Sequence, residues 1–76
     1  MEVRVTLHGI LRDYLPRQAK GRTTLDLPDG VTINDVIQAL KIKQNVSAAI
    51  DGVEVETTHA LQDGEELDLF RLIAGG

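Results

Sequence analysis

Apolar and polar residues alternate from the first positions of the chain. Val3, Val5 and Leu7 interleave with Arg4, Thr6 and His8, and this period of two predicts a half-buried first strand. Ile10, Leu11, Tyr14 and Leu15 then fall on one side at helical spacing. They predict a short helix that Pro16 ends or keeps from extending. Gln18 to Gly21 reads as a polar connector. Thr23-Thr24-Leu25-Asp26-Leu27 predicts a second strand with Leu25 and Leu27 inward, and Pro28-Asp29-Gly30 a turn.

The clearest helix follows. Ile33, Val36, Ile37 and Leu40 stand at i, i+3, i+4 and i+7 and form one apolar stripe. Thr32 is placed to cap it, with Asp35 as a weaker relative of the capping-box acid. Lys41 and Lys43 lie near its C-terminus, where positive charge is favourable. Val46 to Ile50 and Val53 to Val55 flank Asp51-Gly52, a strong hairpin signal. Leu61 precedes a further turn at Asp63-Gly64. Leu67 and Leu69 then alternate with Asp68 and Phe70 in a last strand.

The element order is β-α-β-α-β-β-β, an α+β domain. A mixed sheet of four or five strands packed on one main helix, with a short additional helix, accounts for it. With the first and last strands side by side in the middle, residues 1–71 form the domain. Residues 72–76 form a tail that leaves a rigid base. The helix covers one face of the sheet. Phe70 points away from Leu67 and Leu69, onto the open face. Leu72 follows on the same side and makes an apolar ridge, which is a candidate partner contact.

Composition narrows the chemistry. Seventy-six residues make one domain with a modest core. Tyr14 and Phe70 are the only aromatics, so the core must be aliphatic. With no cysteine there is no disulfide, zinc-thiolate site or nucleophilic thiol, which fits the cytoplasm. The N-terminus starts a strand directly and has no signal-peptide pattern, and no stretch reaches membrane-spanning length. Residues 1–43 hold seven Lys and Arg against five Asp and Glu, a balance of +2. Residues 44–76 hold Arg71 against seven acids, a balance of −6. That acidic half argues against nucleic acid as the main partner. It reads as a solvated face and would also suit docking to a basic protein surface.

No residue set could run catalysis alone. His8 and His59 have no ligand spacing and read as ordinary surface or turn histidines. Ser47 has no nucleophile-elbow pattern around it. The five glycines before the tail stand singly at turns, so no phosphate-cradling loop is present. What remains is the end Leu72-Ile73-Ala74-Gly75-Gly76. Glycine has no β-carbon and passes where other residues clash. A Gly-Gly end is therefore a narrow probe with a carboxylate at its tip, suited to insertion into another enzyme's active site.

In this order and spacing the motifs resemble the β-grasp sulfur carriers related to ubiquitin. These are the molybdopterin synthase small subunit (MoaD) and the thiamine sulfur carrier (ThiS). The residues that carry the resemblance are His8-Gly9-Ile10-Leu11-Arg12, then Leu27-Pro28-Asp29-Gly30-Val31-Thr32-Ile33 and Ile50-Asp51-Gly52. Leu61-Gln62-Asp63-Gly64-Glu65-Glu66-Leu67 and Ala74-Gly75-Gly76 complete the set. Length and the short helix with Leu11, Arg12 and Leu15 look like the molybdopterin type, the closer of the two. Arg71 with Ile73 looks more like the thiamine type. Asp51 stands where Asn is common in the family, and His8 where Phe is frequent.

The resemblance implies a protein cosubstrate rather than an enzyme. An E1-like adenylating enzyme would activate the Gly76 carboxylate, with ATP and Mg²⁺ belonging to that partner and none bound durably here. A sulfur donor would convert Gly76 to a thiocarboxylate. An acceptor synthase, the molybdopterin synthase large subunit or thiazole synthase, would take the sulfur. Phe70, Arg71, Leu72 and Ile73 would contact partners, and Ala74 and Gly75 would thread the tail. Molybdopterin is the expected acceptor. The alternatives are thiamine thiazole, tRNA thiolation, or a ubiquitin-like modifier joined to lysine through Gly76.

Overall fold

In the computed structural model, the alternation of Val3, Val5 and Leu7 becomes strand β1 (Glu2–Leu7), with all three apolar side chains buried. The structure describes residues 1–72. The expectations on Ile73, Ala74, Gly75 and Gly76 lie outside the described residues. Strand β2 (Arg22–Asp26) runs antiparallel to β1. Helix α1 spans Ile33–Ala39, and β3 (Val46–Ile50) and β4 (Val53–Val55) form a hairpin. Strand β5 (Glu66–Arg71) completes a five-stranded sheet of order β2-β1-β5-β3-β4. It runs parallel to β1 and antiparallel to β3. The first and last strands thus lie side by side, each with a neighbour on both edges.

The core forms where the inward faces of β1, β3 and β5 meet α1. Val3, Val5, Leu7, Leu67 and Leu69 are each at most 1% exposed, and Ile33 and Val36 of the helix are fully buried against them. Leu11, Ile42, Ala48, Ile50 and Leu61 complete an aliphatic interior with no buried polar or charged residue among the described ones. Removal of each of these valine, leucine and isoleucine side chains from water contributes on the order of 1.5–3 kcal/mol.

Local chemistry explains the element ends. Thr32 and Asp35 form a full capping box, stronger than the sequence suggested. The Asp35 N–H donates to Thr32 Oγ1 at 3.3 Å, and the Thr32 N–H donates to the Asp35 carboxylate at 2.9 Å. The helix is only seven residues long, because Leu40 caps it and Lys41 turns the chain at φ 59°. Asp51 and Gly52 both take positive φ, 50° and 86°, as a two-residue type I′ hairpin turn requires. The Asp51 carboxylate also accepts the Glu66 N–H at 3.1 Å, tying the hairpin to the start of β5.

The segment between β1 and β2 departs from expectation. Gly9–Tyr14 is a 3-10 helix, and Arg17–Ala19 forms a second 3-10 turn where a plain connector was expected. At three residues per turn, Leu11 and Tyr14 eclipse and face inward. Ile10, one position off, points out and is 48% exposed.

Candidate functional site

The site to build is the end of β5, because there the chain leaves the sheet. Phe70 pairs with Ser47 and Arg71 with Val46 across β3. The Leu72 N–H still donates to the Asn45 carbonyl at 2.9 Å. On the other side Leu69 pairs with Leu7, and the His8 N–H donates to the Leu69 carbonyl at 3.1 Å. The backbone is therefore held by hydrogen bonds through Leu72.

Alternation along β5 puts Leu67 and Leu69 in the core and Asp68 and Phe70 on the open face. Phe70 remains 39% exposed and Leu72 52% exposed. Both apolar side chains are thus open to solvent. Arg71 is also exposed, and by the same alternation it points to the opposite side. Of the seven residues singled out, Phe70, Arg71 and Leu72 are brought together at this edge.

Sequence reasoning missed His8. It continues the β1 alternation onto the open face, and the parallel register, with Thr6 beside Asp68, brings it level with Phe70. The two rings stack with centroids 4.4 Å apart and planes 9° from parallel. His8 Nε2 lies 3.0 Å from the Asp68 carboxylate. A carboxylate only accepts, so in this contact Nε2 carries the proton. The available signal was the period of two: His8 stands two residues after Thr6, as Phe70 stands two after Asp68. His59, in contrast, sits at a turn and meets the Glu65 carboxylate at 3.3 Å.

Chemically this edge offers a flat aromatic pair, an apolar ridge and a backbone fixed up to the tail. Ser47 and Ala49 beside it on β3 are small and leave the ring exposed to an approaching surface. Among the described residues no group of three or more His, Cys, Asp and Glu is placed to hold a metal ion. No helix among them is long and apolar enough to cross a membrane.

A family model described as the ThiS family matches residues 5–76, nearly the whole sequence. The chain belongs to the ThiS family. No curated protein matches the sequence at a significant level. Its fold is similar to that of molybdopterin converting factor subunit 1 from Pyrococcus furiosus, at 20% identity and TM-score 0.76, covering 96% of this chain and 99% of that one. It is similar to SAMP1 from Haloferax volcanii, at 18% identity and TM-score 0.73 over the full length of both. A third likeness, at 18% identity and TM-score 0.63 over both full lengths, is to a complex of subunits 1 and 2 of molybdopterin-converting factor from Helicobacter pylori. The architecture is the β-grasp of these ubiquitin-like, MoaD/ThiS-type proteins, as the motifs implied.

Proposed function

We propose that this ThiS-family protein is a sulfur carrier whose reactive group is the Gly76 carboxylate. The observation that carries the reading is that the family match runs through Gly76, immediately beyond a backbone pinned to the sheet as far as Leu72. Leu72 to Gly76, fully extended, reach about 17 Å at ~3.3–3.6 Å per residue. That length lets the tip enter a buried site while the domain body docks outside it.

A carboxylate is a poor electrophile because its charge is shared between two oxygens. In an adenylating partner it attacks the α-phosphate of ATP, expels pyrophosphate and becomes an acyl-adenylate. The terminal sulfur of a donor persulfide then displaces AMP. A thiol cleaves the resulting acyl disulfide and leaves the Gly76 thiocarboxylate, with the oxidised sulfurs retained as a disulfide on the partner. The chain acts as cosubstrate, and ATP and Mg²⁺ stay with the partner. The fold likeness to subunit 1 of molybdopterin-converting factors, one of them in complex with subunit 2, supports molybdopterin synthesis as the destination.

A second reading is a modifier joined to lysine through Gly76. It is favoured by the fold likeness to SAMP1, a small archaeal modifier protein. Intact-mass measurement of the protein from its native cell tests both. Exchange of one terminal oxygen for sulfur is expected for the carrier. Gly76–lysine conjugates without that exchange would replace it with the modifier.

A further inference from the structure

The sheet separates charge along its strands. β1 and β5 start, and β2 and β3 end, at one edge, where Glu2, Asp26, Asp51, Asp63, Glu65 and Glu66 gather. At the opposite edge, where β5 ends, the Gly9–Ala19 segment and the start of β2 place Arg12, Arg17, Lys20 and Arg22. All four are exposed, and none is in an ion pair among the described residues. A cleft of about 530 Å³ lies among three of them, lined by Arg12, Lys20 and Arg22 together with His8 and Gly9, and by no acid; Arg17 lines a neighbouring cleft with the acid Asp13.

The cleft has a fixed wall. Gly21 is buried at φ 78°, and a β-carbon there would stand 2.6 Å from the Leu7 carbonyl oxygen and 2.8 Å from Arg12 Cγ. Glycine at this position lets the Arg12 stem lie across the backbone at the end of β1. His8 lines the cleft on one side and stacks on Phe70 on the other. The cationic cleft and the aromatic ridge are therefore one continuous surface.

We infer that this cleft receives an acidic protein surface on the adenylating partner and steers the tail end of the carrier toward it; the inference rests on the carrier reading above. Three cations with no ion pair among the described residues attract carboxylates, and the acidic far edge orients the molecule with the end of β5 forward. Complementary charge of this kind raises association rates from about 10⁵–10⁶ to as much as 10⁸–10⁹ M⁻¹s⁻¹ at low salt. Nucleic acid is the weaker occupant, because a net charge of −4 opposes a phosphate backbone.

The test is ATP–pyrophosphate exchange by the adenylating enzyme of the same organism, with the full-length carrier as variable substrate. Lys20→Glu/Arg22→Glu should raise KM at least about tenfold at ~50 mM salt with kcat unchanged, and the gap should close at about 0.5 M, where screening is strong. Lys41→Glu/Lys43→Glu, an equal charge change beyond the helix, should move KM far less. If the first variant fails to fold by circular dichroism, Lys20→Gln/Arg22→Gln replaces it with the same expected direction. Unchanged KM, or an equal rise in the helix-side control, overturns the cleft while exchange itself sustains the carrier reading. Absence of exchange with the wild-type chain overturns both. Binding of bulk tRNA that the first variant abolishes overturns the protein partner in favour of nucleic acid.

Discussion

The imidazole of His8 lies flat on the ring of Phe70, centroids 4.4 Å apart, although the two residues are separated by most of the chain. Stacked aromatic pairs add about 0.5–1.5 kcal/mol beyond their area burial. A double-mutant cycle with His8→Ala and Phe70→Ala should therefore show a coupling energy in that range by urea unfolding. Coupling near zero would mean the rings do not support each other in solution.

The same ring should matter more to a partner than to the fold. Phe70 is half-exposed and lies outside the aliphatic core. Phe70→Ala should cost folding about 1 kcal/mol and partner affinity at least about tenfold, since aromatic anchors dominate interfaces. Paired calorimetric binding and unfolding measurements decide it. A large loss of stability with unchanged docking would assign Phe70 a structural role.

Leu69, one residue earlier, has the opposite balance. It is fully buried between β1 and β3, and Leu→Ala in such sites costs about 2–5 kcal/mol. A chain of this length has roughly 4–11 kcal/mol in total. Leu69→Ala should leave the domain partly unfolded at ordinary temperature, seen as loss of a cooperative thermal transition.

What the sequence made legible follows from where one residue's environment decides its place. The strands were readable because one face is buried, so Val3, Val5, Leu7, Leu67 and Leu69 had to alternate. The same logic put Phe70 on the open face. The short helix at Gly9–Tyr14 was legible, but not its 3-10 type, because over six residues an i, i+3 pair such as Leu11 and Tyr14 suits either helix type. His8 was passed over because its stacking depends on the parallel register of β1 and β5, which no local pattern encodes. Counting charge by chain halves hid the cationic edge. Glu2 and Asp26 belong to the basic half of the sequence, yet the topology carries them to the far end of the sheet.

Two glycines with positive φ should respond differently to alanine. At Gly52, φ is 86° and a β-carbon meets nothing within 4 Å, so Gly52→Ala should cost only the left-handed penalty of about 1–2 kcal/mol. At Gly21 the added methyl also strikes the Leu7 carbonyl and Arg12, adding about 1–3 kcal/mol of overpacking. Unfolding midpoints should rank wild type, Gly52→Ala, then Gly21→Ala. Equal losses would remove the steric reason for glycine beside Arg12.

Gly75→Ala isolates the tail from the body. The substitution lies past Leu72, where the last described hydrogen bond to the sheet is made, so unfolding should shift by no more than about 0.5 kcal/mol, as for ordinary surface changes. In a narrow entry channel the methyl both occupies space and withdraws backbone conformations that only glycine reaches. Misplacement of the reacting group by about 1 Å costs on the order of a hundredfold in rate, so kcat/KM for pyrophosphate exchange should fall by at least about tenfold. Competition by Gly75→Ala against the wild-type chain separates docking from threading. A folded variant that still competes but is not activated has kept the Phe70 surface and lost the passage of its tip, whereas normal activation would show that the tail is not threaded through a tight site.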